Sequence, residues 1–223
     1  MANILITGAN RGIGLALTRL YRNRGDNVYA VCRKTSPALD ASGAHVIDAI
    51  DMSDAASIAR LPQRLGDVRL DTVILNAGIF SNETLDTLDE AALAAIEKQF
   101  RVNTLGPLLT AHALLAQLAE GSKIAIITSR MGSVADNGSG GYYGYRASKA
   151  AVNAVGKSLA VDLAARGIAV CLLHPGLVAT DMVGGQGDVS PEQAAEGLAG
   201  RVDELTLATS GGFWHANGSA LPW

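Results

Sequence analysis

Short apolar runs alternate along this chain with longer stretches whose apolar residues recur at helical spacing, and the alternation persists from end to end. Residues 3–7 form the first apolar run and 15–21 the first helical stretch, joined by Gly8-Ala9-Asn10-Arg11-Gly12-Ile13-Gly14. Runs at 27–32, 44–47 and 70–75 predict three more strands. Between the last two, Asp51-Met52-Ser53-Asp54 reads as a loop that closes on an N-cap, ahead of a helix over 55–65. The spacing of Leu93, Ile96, Phe100, Leu105 and Leu109 predicts one long helix over 90–120, kinked at Val102-Asn103-Thr104 and Gly106-Pro107. An almost wholly apolar strand at 123–128 follows, then a polar loop at 130–143 and a helix from Tyr145 to about 166, stopped by Gly167. A sixth strand at 168–173, a Gly-rich loop at 178–188, a helix over 191–207 opened by Ser190-Pro191, and a short seventh strand at 212–215 complete the pattern. Neither linker nor repeat interrupts it. The expectation is one domain over 1–223, α/β and doubly wound, with a seven-stranded parallel sheet covered by helices on both faces.

Composition narrows the functions open to such a chain. With 48% hydrophobic and 17% charged residues, 223 residues can bury an extensive core. A net charge of −3 offers no basic stripe for nucleic acid and no polybasic patch for a membrane surface, so neither partner is expected. The start of the sequence lacks a signal-peptide pattern and no apolar run is long enough to span a bilayer, which points to a cytoplasmic protein. Cys32 and Cys171 are far apart and read as reduced core thiols, and His45, His112, His174 and His215 show no ligand spacing, so no metal is expected.

The polar punctuation falls at the carboxyl ends of the predicted strands, the edge where open α/β sheets bind ligands. Gly8, Gly12 and Gly14 sit at the first strand-to-helix junction, where a sharp turn and bare backbone N–H groups make a cradle for a pyrophosphate. Arg33 ends the second strand, facing an adenine ribose in a nucleotide fold. Asp51 is either a contact to an adenine amino group or a plain turn residue. Asn76-Ala77-Gly78 makes a small polar corner after the fourth strand, Asn103 sits at the helix kink, and Ser129 is delivered by the fifth strand. Tyr145 and Lys149 are four residues apart on one helix face, where a Lys cation lowers the pKa of a neighbouring phenol and makes the pair a candidate general acid/base.

With these motifs in order, the chain resembles the short-chain dehydrogenase/reductase family over nearly its whole length. Thr7-Gly8-x-x-x-Gly12-x-Gly14 looks like the cofactor loop, Asn76-Ala77-Gly78 like the sheet-stabilising corner, Asn103, Ser129, Tyr145 and Lys149 like the catalytic set, and Pro175-Gly176 like the nicotinamide-side turn. Ser129 to Ser133, the loop Ser139-Gly140-Gly141-Tyr142-Tyr143 and the ending Leu221-Pro222-Trp223 are similar to C-factor-like and sniffer-type carbonyl reductases. The resemblance implies a Rossmann-type fold and an NADP(H)-dependent reduction of an aldehyde, ketone or quinone. Tyr145 would be the general acid/base, Lys149 would lower its pKa and bind the nicotinamide ribose, and Asn103 would hold a relay water. It also implies cofactor contacts from Asn10, Ile13, Val178 and Thr180, and a homodimer or homotetramer. The interval from Ser129 to Tyr145 is a few residues longer than in most members, which leaves Ser133 as the alternative serine. A dinucleotide sensor without catalysis is the competing reading; an extended sugar-nucleotide epimerase would need a longer C-terminal part.

Two further expectations concern selectivity. Cys32 stands where NAD-specific enzymes place an acidic residue, with Arg33 and Lys34 next to it, and Arg11 is expected to reach the same corner. Two or three cations there favour NADPH over NADH. The Gly-rich segment 178–190 suits a mobile lid over an open pocket that accepts many small carbonyls.

Overall fold

A computed structural model describes all 223 residues. Seven strands form one parallel sheet: β1 Asn3–Thr7, β2 Asn27–Val31, β3 His45–Ile47, β4 Leu70–Leu75, β5 Leu118–Ile127, β6 Ala169–His174 and β7 Phe213–His215, in the order β3-β2-β1-β4-β5-β6-β7. The chain winds outward from β1 to β3, then returns to lay β4 on the other side of β1. The connections therefore diverge between β1 and β4, and this topological switch opens a crevice at the carboxyl edge.

Alternate residues of β1 explain the two-sided core. Ile4 and Ile6 face one layer, built on α1 Gly12–Asn23 and α8 Pro191–Glu204 with Leu17, Leu198 and Val202. Leu5 faces the other, where α6 Gly106–Ala113, the Leu114 that caps it and α7 Tyr143–Ala164 contribute Ala111, Leu114, Val152 and Leu163. Strands covered on both faces must be apolar at every position, which is why they read as continuous runs rather than alternating ones. Cys32 and Cys171 are both free and buried.

Several boundaries differ from the sequence expectation. The single helix over 55–65 is two, Ala55–Ile58 (α3) and Leu61–Leu65 (α4), because Pro62 has no N–H to continue the first. A short helix Pro37–Asp40 (α2), capped by the Ser36 hydroxyl, was not anticipated. The long helix over 90–120 is α5 Glu90–Phe100, a π-helical turn Arg101–Leu105, and α6, which ends at Ala113. Pro107 removes one helical hydrogen bond, and Gly106 passes so close to the Met52 carbonyl that a Cβ there would lie 2.9 Å from it. Nor do the apolar residues that suggested the long helix all face the core: Leu93 and Leu105 are exposed, whereas Gln99, Val102, Asn103 and Thr104 are buried. Residues 114–120 leave the helix, and β5 starts at Leu118, five residues early, with an irregular register against β4.

Candidate active site

A cavity of about 1100 Å³ lies along the carboxyl edge of the sheet. Its first wall is the glycine loop. Gly8 and Gly12 have φ of +67° and +52°, and a Cβ on Gly14 would meet the Gly8 carbonyl oxygen at 2.2 Å, so no side chain fits the turn. The first N–H groups of α1 face this loop without a side-chain cap. Asn10 is used to hold the loop: its Nδ2 donates to the Lys34 carbonyl at 3.1 Å, and its own carbonyl accepts from Ser36 Oγ at 2.7 Å.

Across the switch, Thr7 Oγ1 accepts from the N–H groups of Asn76 and Ala77 at 3.0 and 3.1 Å, while Asn76 Nδ2 donates to the Thr7 carbonyl at 3.0 Å. These bonds lock the ends of β1 and β4 together. Past β2, Arg33 and Lys34 line the cavity with Asp51. Burial works against ionisation of Asp51, but hydrogen bonds from Ser53 and the nearby Arg33 charge hold its carboxyl below its ordinary range. Arg11 lines the same cavity, and its exposed guanidinium pairs with Asp181 of the loop after β6 at 3.1 Å.

The far end of the cavity is made by β5 and α7. Ser129, 7% exposed, lines it beside Tyr145 and Lys149, and its Oγ accepts from the Met131 N–H at 3.1 Å. Ser133 does not: it is buried with its hydroxyl donating to the carbonyl of Trp223 at 3.0 Å and accepting from the Asp136 N–H. Lys149 is 4% exposed; its Nζ donates to the Ile127 carbonyl at 3.0 Å and lies 5.7 Å from the centre of the Tyr145 ring. Burial draws its pKa down to about 8. Burial also pushes the Tyr145 phenol up, and the hydrogen bond with Ser129 offsets part of that rise. The lowering expected from Lys149 is therefore not what governs this phenol: desolvation outweighs the other influences.

Behind this wall, Asn103 sits in the π-helical turn, buried. Its Oδ1 accepts from the Ile79 N–H, and its Nδ2 donates to the Ile79 carbonyl and to Ser148 Oγ, which ties the corner after β4 to α7. Gly78 passes between these groups: a Cβ on it would stand in ordinary contact with Asn103 Oδ1 at 3.4 Å and Lys149 Nζ at 3.7 Å. Pro175, Gly176, Val178 and Thr180 line the side opposite, with Thr180 packed on Gly12. The segment expected to be a free lid is tied at its base, where the Ala179 N–H donates to the Val189 carbonyl at 2.9 Å. Of the residues singled out in the sequence, Thr7, Gly14 and Asn103 support the wall from behind, Ser133 lies outside it, and the rest named here, Ile13 and Ala77 included, line one cavity.

The model of the short chain dehydrogenase family matches residues 2–189. The chain belongs to this family. It is 42% identical, over the full length of both chains, to 1-hydroxy-2-glutathionyl-2-methyl-3-butene dehydrogenase of a Rhodococcus strain. Its fold is similar to that of the carbonyl reductase Sniffer of D. melanogaster, with a TM-score of 0.89, 29% identity and all of both chains covered. It is likewise similar to a carbonyl reductase from chicken fatty liver with NADPH bound, with a TM-score of 0.88, 28% identity, and 100% and 99% of the two chains covered.

Several further residues shape the site of this short-chain dehydrogenase, and of these only His174, at the end of β6, stood at a strand end that the sequence marked. Glu83 is 2% exposed, and its carboxylate accepts from Gln99 Nε2 at 2.8 Å, from Ser81 Oγ, and from the Gly144 N–H at 3.1 Å, at the start of α7. Phe80 stands edge-on to Tyr145 at 5.0 Å. Gly132 packs on the Lys149 backbone, where a Cβ would lie 2.7 Å from its carbonyl carbon. His174 faces the cavity edge-on to His215 at 4.9 Å, and burial, with His215, Arg130 and Lys149 adding to it, lowers its pKa to about 4. Only a glycine at 132 or 144 hinted at such close packing, and a lone glycine does not say what it approaches.

Proposed function

We propose that this protein is an NADP(H)-dependent oxidoreductase that interconverts a small carbonyl compound and its alcohol, with Tyr145 as general acid/base. The observation that carries this reading is the single cavity that joins the glycine loop, the cations after β2 and the Ser129, Tyr145 and Lys149 side chains. The cradle fits a dinucleotide: glycines leave backbone N–H groups bare at the start of α1, and Pro175 and Gly176 lie at the other end of the same channel. A bound nicotinamide supplies or accepts the hydride. The chain's own residues do the rest. Ser129 and Tyr145 place hydroxyl donors where negative charge develops on the carbonyl oxygen, and the phenol, kept protonated by its dry surroundings, gives that oxygen a proton. Lys149 stabilises the phenolate left behind, and Asn103 braces the wall behind both. In the reverse direction the phenolate removes the proton of an alcohol, the direction named for the Rhodococcus relative.

Cofactor choice rests on Arg33 and Lys34, whose charges favour a 2′-phosphate at a site where Cys32 supplies no repelling carboxylate. NADPH is expected to exceed NADH by about a hundredfold in kcat/KM, roughly 2.7 kcal/mol. Arg33→Asp should erase most of that ratio through the KM for NADPH. The hollow lined by half-buried Ile96 and Phe100 and by exposed Leu105 suits a homo-oligomer.

The test of the reading is Tyr145→Phe, assayed by NADPH consumption across aldehydes, ketones and quinones, with cofactor binding followed by fluorescence. Turnover should fall more than tenfold, roughly 1.4 kcal/mol or more, while binding stays close to that of the parent protein. Retention of more than about a tenth of the parent kcat would exclude Tyr145 as the general acid.

A further inference from the structure

One end of the cavity carries charge that the proton chemistry above does not use. Arg130 directly follows Ser129, Arg146 directly follows Tyr145, and both line the cavity. The turn at 130–132 brings them together, since Arg146 Nη1 donates to the Met131 carbonyl at 3.4 Å and the Met131 N–H donates to Ser129 Oγ. Arg146 is held further by Nη2 to Ser139 Oγ at 2.8 Å and Nε to the Gly140 carbonyl at 3.3 Å. Arg130 binds Asp136 through Nε, and its two terminal amino groups have no protein partner. Asp136 thus neutralises one of two guanidiniums, and His174 beside them stays uncharged, because burial holds its pKa near 4.

We propose that this end of the cavity binds a carboxylate carried by the substrate a few bonds from its reacting carbon, so that the enzyme prefers carboxylate-bearing carbonyls and alcohols to neutral ones. The proposal rests on Ser129 and Tyr145 being where the carbonyl oxygen sits. A guanidinium fork with both amino groups free matches two carboxylate oxygens. The net single positive charge suits a monoanion; a phosphate dianion would face Asp136 as well. Arg130 is 58% exposed, so the attraction weakens as salt screens it.

The test compares 5-oxohexanoate with its methyl ester, which present the same ketone with and without the charge. At low salt the parent protein with NADPH should show a kcat/KM ratio of about tenfold in favour of the acid, falling toward one as salt rises. Arg130→Leu/Arg146→Leu should bring the ratio near one, and Asp136→Asn, which leaves the Arg130 charge unneutralised, should raise it. A parent ratio near one, or a ratio that neither variant moves, overturns the proposal while leaving carbonyl reduction intact. If the parent protein reduces neither ketone, the reductase reading is judged by the wider screen of aldehydes, ketones and quinones above. The carboxylate site is then judged by titrating hexanoate and methyl hexanoate into the NADPH complex. Binding of the acid alone, lost in the double arginine variant, supports it, and equal or absent binding of the two refutes it.

Discussion

Lys149 holds its ammonium where water scarcely reaches, and burial brings its pKa to about 8. Below that pH it is a cation beside Tyr145; above it the charge is lost, and the Ser129 hydrogen bond alone is left to stabilise the phenolate that forms when the proton leaves. The rate of carbonyl reduction at saturating substrate should therefore fall as pH rises through about 8, and a profile that stays level to about pH 10 would remove Lys149 from this role. Gly14→Ala should abolish NADPH binding in a fluorescence titration, since the added carbon would lie 2.2 Å from a backbone oxygen that cannot move without opening the β1 turn. The residues readable in the sequence are those whose partners lie close by in the chain. Tyr145 and Lys149 share one helix face, and the glycines share one turn, so spacing alone places them. The pairing of Arg11 with Asp181 was not readable because the two lie 170 residues apart. Ser133 and Ser129 were separable only once the fold had carried Trp223 to the first of them.

At the scale of elements, α7 carries Tyr145 and Lys149 and is fixed at its start by a buried carboxylate. Glu83 accepts from the Gly144 N–H and from Gln99 of α5, and Tyr142 before it adopts a left-handed φ of +53° with its N–H donating to the Glu83 carbonyl. Glu83→Ala would leave these buried donors unpaired. It should cost about 2 kcal/mol, a fall in Tm of about 4–8 °C by calorimetry, with kcat reduced more than the affinity for NADPH. This knot was not legible because Glu83 lies in a polar stretch that reads as solvated loop, and only the approach of α5 to α7 buries it. The strands and the α7 helix were legible because apolar periodicity reports burial directly. The break in the long helix was foreseen at its place but not in its form, since Pro107 and Asn103 announce a disturbance without stating that the chain continues as a π-helical turn.

For the whole molecule, winding the sheet outward from β1 in both directions places the glycine loop, the Asn76 corner, Ser129 and the Pro175-Gly176 turn on one edge. That gathering follows from strand order, which the alternation of elements implies, so the candidate site was largely readable at this scale. Two cores share the sheet, one on each face, and strands such as β1 supply both. The apolar residues left outside them, Ile96, Phe100 and Leu105, line a shallow hollow on α5 and the turn beyond it. Light scattering should give a mass of at least twice 23.0 kDa, and Leu105→Glu should lower it to that of one chain.

The bond between Ser133 and Trp223 spans 90 residues, and the Trp223 carbonyl accepts from the Ala135 N–H as well. The turn that carries Ser129 is therefore closed by residue 223. Removing that residue takes both bonds from the turn, whereas the bonds that hold the glycine loop, made with Lys34, Ser36 and Asn76, do not involve it.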